Sequence, residues 1–559
     1  MKNSQVIIIG TGVAGALAAA KFAKSGIKTL MIEAGLDKTV DRLQMSAEYA
    51  MTTRKTPGSP YVIENSNIES PDYRETTNPK DLESHYYDFE KTPEGKATKV
   101  FKSSYQRIIG GSTWHWLGNT PRFLPNDFKM DTLYQRGKDW PITYDDIEPY
   151  YCEAEEELGI SGNHDKWNNY LGAYRSKPFP MSEIWQCYGD SKFIEVIEGE
   201  TIQNHKINIL PTPQARNSEN YNGRPPCAGN SSCVPICPIQ AKYDATIHVN
   251  IAKEHGAELI DGAVVHHLHV NEFDTIVKLT YRTSDLVDHD IDTTGKIVIL
   301  AAHSIESAKI LLMSNVANSS KMVGKNLMDH AQGYVVAKTK DPVYPFRGPL
   351  TTSGIDIFRD GDNRKTQSAF RLSIGNDGWG RVKSPNSIAR QHILEGKTGK
   401  SLFNDIGNEI IRLSRISYST EVLPDKKNAV TLSKHLDKIN LPRPKLSFAI
   451  NDYNEKAFAF ARKVCQDIFE KVGVSEVDIL ENRSFSGAGH IMGTTCMGTE
   501  PNNSVVDSNC KAHDNDNLYI LGASVFPTSG TANPTLTVAA LSLRTADLII
   551  EKLKNETTV

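Results

Sequence analysis

The sequence predicts a protein of the α/β class, α+β overall: a domain built on a parallel sheet, joined to a second domain with an antiparallel sheet and flanking helices. Three observations lead there. The N-terminus reads strand, glycine-rich turn, helix, strand, a βαβ unit. Two later segments, "KIVILAA" and "NLYILGAS", are continuously apolar, as strands covered on both faces are. Between them, from about residue 335 to 450, the pattern is strand-like with turns such as "FRDGDNR".

In chain order, residues 5–9, "QVIII", predict a buried strand, 13–25 a helix whose alanines allow close packing, and 28–33, "KTLMIE", a second strand. Residues 40–105 are polar, rich in Pro, Ser and Tyr, and predict extended surface loops. "YDDIEPYYCEAEEEL", 144–158, predicts a helix interrupted at Pro149. Residues 257–300 alternate as strands, 303–315 form a helix at their end, and 453–472 an amphipathic helix. A final helix over 534–553 follows, capped by Asn533 or Thr535.

Composition excludes several classes. With 559 residues the chain is long enough for a large core and more than one domain. A net charge of −4 argues against a nucleic-acid binder that relies on bulk positive charge. No apolar run has the length of a membrane helix. The start "MKNSQVIIIGTGVAGALAAAKFAKSG" reads as retained structure, not as a signal peptide, because its glycines are spaced for another purpose.

That purpose is G-x-G-x-x-G, formed by Gly10, Gly12 and Gly15 between the first strand and its helix. The first glycine makes the tight turn, the second lets backbone approach a pyrophosphate, and the third lets helix and strand pack. The helix N-terminus faces the phosphate charge. Glu33 ends the second strand, where a carboxylate accepts ribose hydroxyls and disfavours a 2′-phosphate. NAD and FAD both satisfy this pattern.

Further segments separate them. "RIIGGSTWHW" (107–116), "AAHSIESAKILL" (301–312), "VGKNLMDH" (323–330) and "NLYILGASVFPTSGTANPTLTVAAL" (517–541), with the N-terminal fingerprint, resemble the glucose–methanol–choline family of FAD oxidoreductases. The resemblance covers most of the chain and is loosest over 340–480. It implies FAD, hydride abstraction from a carbon bearing an alcohol, and two domains. The Rossmann-like FAD-binding domain is expected in 1–45, 100–135, 215–335 and 485–559. The substrate domain is expected in 46–99, 136–214 and 336–484.

An alcohol must lose its O–H proton as its hydride leaves, so a histidine beside the hydroxyl suits the chemistry. "GHIMGTTCMG" offers His490 at the family's catalytic histidine, and "GTANPTLT" offers Asn533 at its histidine-or-asparagine partner. The resemblance makes His490 the base and Asn533 an orienter. Gly110, Gly111 and Thr113 match the loop against the flavin, Val264 or Val265 the adenine-side strand, and Ala523 and Ser524 the turn near the pyrophosphate. Many members carry aspartate before that alanine, where this chain has Gly522. Trp114, His115 and Trp116 suit either a sugar path or core packing.

"CAGNSSCVPICPIQ", 227–240, places Cys227, Cys233 and Cys237 as C-x5-C-x3-C, followed by Pro238. The spacing alone admits a disulfide, a zinc site, an iron–sulfur cluster or a plain loop. C-x3-C-P is how bacterial ferredoxins end their cluster run. The stretch with its surroundings resembles the flavoprotein subunit of bacterial membrane-bound sugar and polyol dehydrogenases. That branch implies a [3Fe–4S] cluster on the three cysteines, with electrons leaving through it to a cytochrome c or quinone. It also implies a small subunit bearing the export signal, a multihaem cytochrome c subunit, and a periplasmic site held to the membrane through those partners. A cytoplasmic location is the alternative. A flavin oxidase using oxygen with structural cysteines, and a non-catalytic FAD-binding protein, are the competing readings of function.

Overall fold

The structure is a computed structural model and describes residues 4–37, 41–51, 86–90, 101, 103–229, 233–234, 236–376, 383, 385–478 and 486–557. Its first layer is a five-stranded, wholly parallel sheet. Strands run in the order Leu518–Ile520, Ile297–Leu300, Val6–Ile9, Thr29–Ile32 and Glu258–Ile260. Every strand but the edge strand Glu258–Ile260 is buried throughout, which is why these segments read as unbroken apolar runs. The helix Val13–Lys24 is buried almost all round, between this sheet and the helices Thr246–Glu254 and Thr535–Thr557. Its run of alanines permits that closeness.

The second layer is an antiparallel sheet. Val474–Asp478, Ala331–Thr339, Leu413–Thr420, Phe370–Gly375, Ser353–Ile355 and Leu210–Pro211 follow one another across it. Register sorts its residues by face. Val335, Ile416, Tyr418, Leu372 and Ile374 share one face and are buried towards the amphipathic helix Asp452–Val472, where Tyr418 meets Phe458 edge-on at 5.4 Å. The opposite face carries polar side chains. The strand Ala331–Thr339 begins inside the range expected for the FAD domain, so the two sheets adjoin within one continuous segment.

Three expectations need correction. The helix Tyr144–Leu158 runs unbroken through Pro149. A capping box of Thr143 with Asp146 starts it, Gly159 at φ +68° ends it, and Ile147, Tyr151, Ala154 and Leu158 bury its inner stripe. Asp145, whose carbonyl Pro149 leaves without an intrahelical donor, is exposed, so the lost hydrogen bond falls on the solvent side of the helix. Arg42–Met51 is a helix where extended loop was expected; most of the remainder of 40–105 lies outside the described residues. Among the described residues the 335–450 region contains two α-helices besides its strands, Pro385–Leu394, with proline at its first position, and Gly399–Ile410. Among the described residues no helix is long and apolar enough to cross a membrane.

Candidate active site

A cavity of about 510 Å³ opens where the parallel strands end and the polar face of the antiparallel sheet begins. Gly10, Thr11, Gly12, Glu33, Ala301 and His303 line its first half, at the carboxyl ends of three neighbouring parallel strands. Two of the motif glycines are required by the protein itself. Gly10 has φ +99° and a Cβ there would lie 2.5 Å from the Ala301 carbonyl oxygen; a Cβ on Gly15 would lie 2.0 Å from that of Gly10. Gly12 differs. Its φ is −64°, and a Cβ would meet no protein atom within 4 Å, only the cavity. Glycine at 12 therefore keeps space open for a ligand's backbone-hugging portion. Glu33 is held by Thr11 (N–H at 2.8 Å, Oγ1 at 2.7 Å) and by the Gly35 N–H at 2.9 Å. Burial pushes its pKa up, against those hydrogen bonds.

Gly111, Thr113, Val264, Val265, Gly522 and Ala523 line the same cavity. Gly15, Gly110 and Ser524 stand behind the lining. Gly110 turns the chain at φ +84° and accepts the Thr113 hydroxyl at 2.5 Å, while Ser524 is buried and its carbonyl accepts the Thr495 N–H at 3.0 Å. Of the aromatic trio, His115 and Trp116 line the cavity, whereas Trp114 packs with Ile236 of the cysteine loop.

At the far end, His490 and Asn533, forty-three residues apart, come together: the Asn533 amide nitrogen lies 3.0 Å from His490 Nε2. Asn533 thus directs its side chain at His490, just ahead of the helix Thr535–Thr557. His490 is itself held from two sides. Asp329 accepts its backbone N–H at 2.8 Å and bonds Ser103, whose hydroxyl also accepts the Gly489 N–H at 3.0 Å. His330 meets its ring, Nδ1 to Nδ1, at 2.8 Å. Neither Asp329 nor His330 was assigned a role from sequence, although both stand in the "VGKNLMDH" stretch that marks the family resemblance.

The wall opposite is the polar sheet face. Register aligns Gln332, Ser419 and Arg371 in one row and Tyr334, Ser417 and Ser373 in the next; Arg415 follows, and all seven line the cavity. Arg371 is held by Asp356 at 2.9 Å and Thr212 at 2.7 Å. These residues alternate along three separate strands, so no contiguous motif announced them.

Burial holds the His490 pKa well below the usual histidine value, and the neighbouring His330 and Arg371 lower it further. The ring is therefore unprotonated at neutral pH, the form in which a histidine can accept a proton. A base with a lowered pKa keeps that form further into acid, so kcat/KM should stay flat from pH 7 to about 6.5 and fall only below. A pH–rate profile whose acid limb has its midpoint at or above the ordinary histidine value would contradict this.

The cysteine loop adjoins the cavity: Val234, next to Cys233, lines it. Cys227, Cys233 and Cys237 are all free thiols, the latter two buried. Among the described residues no group of three His, Cys, Asp or Glu side chains is disposed to hold a metal ion, and residues 230–232 and 235 of the loop lie outside them. The surroundings are nonetheless unusual. Arg216 Nη2 lies 3.1 Å from Cys233 Sγ, the Lys242 backbone N–H points at Cys237 Sγ at 3.5 Å, and the Lys242 ammonium interacts electrostatically with Cys233 and Cys237. Both cations are about 1% exposed, and neither is paired with a carboxylate among the described residues: Lys242 Nζ bonds the carbonyls of Trp114 and Trp116, and Arg216 that of Leu117. Two buried cations beside three thiols fit a net-negative thiolate-bound group better than they fit neutral thiols.

Comparison with known proteins accords with this geometry. Residues 210–332 and 424–542 match the N- and C-terminal models described as GMC oxidoreductase. The chain is 34% identical to the fructose dehydrogenase large subunit of Gluconobacter japonicus, across 99% of this chain and 98% of that one. It is 25% identical to 2-methyl-1,2-propanediol dehydrogenase of Mycolicibacterium austroafricanum, across 99% and 96%. In fold it is similar to pyridoxine 4-oxidase, with TM-score 0.61, 17% identity, and coverage of 98% and 99%. The chain belongs to the GMC oxidoreductase family and is an FAD-dependent oxidoreductase.

Proposed function

We propose that the protein is a dehydrogenase that oxidises an alcohol group of a sugar, polyol or glycoside and passes the electrons through a [3Fe–4S] cluster to a cytochrome c or quinone. The observation that carries the first half is the His490–Asn533 pair facing a wall of hydroxyl, amide and guanidinium groups. Such a wall offers donors and acceptors to several hydroxyls at once, as a polyhydroxy substrate requires. The relatives named for fructose and a propanediol support the same class.

In this reading Gly10, Gly12, Glu33, Gly111, Thr113, Val265 and Ala523 cradle FAD, which when bound supplies the hydride acceptor. Gly15, Gly110 and Ser524 shape that cradle from behind. His490 takes the substrate hydroxyl proton onto Nε2, and the Asn533 amide orients the same hydroxyl. Asp329 keeps the His490 backbone in place. The pair is half-buried in the cavity wall, so a bound substrate would displace the water that otherwise reaches the base.

Cys227, Cys233 and Cys237 would hold the cluster, with Arg216 and Lys242 offsetting its negative charge. Support comes from the C-x5-C-x3-C-P spacing, the two uncompensated cations and the approach of Val234 to the cavity. The "large subunit" in the name of the Gluconobacter relative supports assembly with further chains, for which we propose a small export-signal-bearing subunit and a multihaem cytochrome c in the periplasm.

Iron and sulfide analysis of protein purified without oxygen tests the cluster, and Cys233→Ser separates the half-reactions. The variant should still bleach its FAD with substrate, yet deliver electrons to the cytochrome at least about tenfold more slowly, because serine is a poor cluster ligand. Zinc or no metal in the parent, or undiminished delivery in the variant, would favour the oxygen-using oxidase instead.

A further inference from the structure

We propose that His330 is a positioning residue that fixes His490 as the Nδ1–H tautomer, so that Nε2 is the bare, proton-accepting nitrogen. The inference rests on the reading of His490 as the base. It follows from counting donors and acceptors around two rings.

His330 Nε2 lies 2.9 Å from the Gly530 carbonyl oxygen and 3.2 Å from that of Ser529. A carbonyl only accepts, so this nitrogen carries a hydrogen. Burial holds the His330 pKa down to about 4, hence the ring is neutral at pH 7 and its other nitrogen is bare. That nitrogen, Nδ1, faces His490 Nδ1 at 2.8 Å. Two bare nitrogens would repel, so His490 Nδ1 carries the hydrogen and donates it. A neutral imidazole has one hydrogen, which leaves His490 Nε2 with a lone pair, aimed at the Asn533 amide and the cavity. The rings meet edge to face, 89° between planes with centroids 5.0 Å apart, which holds the His490 ring against rotation.

The direction of the relay is set by backbone and not by a carboxylate. Glu421 and Arg359 are the charged groups that act on His330, one in each sense, and neither is hydrogen-bonded to it. When His490 Nε2 receives the hydroxyl proton, its Nδ1–H remains, and the positive charge is shared with His330 through the same hydrogen bond. The two carbonyls beyond stabilise that charge. Proton balance is complete: the alcohol O–H bond breaks, an Nε2–H bond forms, and the carbon's hydrogen leaves with both electrons to the flavin.

Holoenzyme labelled with 15N-histidine reports the tautomer directly, with the His490 signals assigned by their loss in His490→Gln. The expected result is a protonated Nδ1 and a bare Nε2 in the parent and in His330→Asn, whose side-chain oxygen can replace Nδ1 as acceptor. His330→Leu, which offers no acceptor, should show Nε2–H or a mixture and reduce its flavin about ten- to a hundredfold more slowly. His330→Asn should recover most of that loss. A protonated Nε2 in the parent overturns the proposal, as does a leucine variant as fast as the parent or an asparagine variant as slow as leucine. If His330→Leu does not fold, the parent spectrum and His330→Asn still decide. Unimpaired flavin reduction by His490→Ala would instead refute His490 as base, whatever the tautomer.

Discussion

His490→Ala is expected to keep FAD bound and to lose flavin reduction by substrate a hundredfold or more, at about the lower edge of what a positioned base contributes. The site explains the separation of effects. His490 stands against Asn533 and His330 and makes no hydrogen bond to Gly12 or Glu33 among the described residues, so its loss should leave the proposed cradle intact. Asn533 remains in the variant, but an amide cannot take the proton, and no other base stands in hydrogen-bond contact with Asn533 among the described residues. Stopped-flow bleaching of the bound flavin measures the step without any acceptor. Reduction at the parental rate would remove His490 from the mechanism.

Gly12→Leu is expected to leave a folded protein that no longer retains FAD. At most glycines such a change is ambiguous, because fold and ligand fail together. Gly12 has an ordinary negative φ, and the space beyond its missing Cβ contains no protein atom within 4 Å. Leucine should therefore be accommodated by the backbone while filling the cradle. Overpacking of this kind costs about 1–3 kcal/mol, roughly a five- to 150-fold loss of affinity. The purified variant should lack flavin absorbance while keeping the parent's circular dichroism. Flavin retained at full stoichiometry would show that the cofactor does not approach this turn. By contrast, Gly15→Leu should unfold the protein locally, since its Cβ would strike the Gly10 carbonyl oxygen.

The local signals in the sequence were of two kinds, and they fared differently. Runs that must be buried on both faces, such as Val6–Ile9 and Ile297–Leu300, declare themselves by composition, and their glycine-rich turn and Glu33 are fixed in position by adjacency. Helices stabilised mainly by tertiary contacts do not. Pro149 signalled a break that the buried stripe of Ile147, Tyr151 and Leu158 overrides, and Pro385–Leu394 was hidden in a region otherwise patterned for strands. Even the roughly 3 kcal/mol that an interior proline costs is outweighed there by packing and capping.

The sequence by itself determined the glycine-rich turn, the parallel strands around it and the three cysteines as candidates, because each rests on a pattern within a short segment; the family, and with it His490 and Asn533 as candidates, came from the resemblance of several such segments taken together. Only the tertiary structure decided what surrounds them. His330 reaches His490 across 160 residues, and Arg216 and Lys242 approach the cysteines from outside their loop. The wall of Gln332, Tyr334, Arg371, Ser373, Arg415, Ser417 and Ser419 exists only because three strands pair in one register. A shift of one residue would turn these side chains towards the helix Asp452–Val472 and the apolar ones into the cavity. Hydrogen-bond partners and sheet faces are properties of folded distance, which no spacing along the chain encodes.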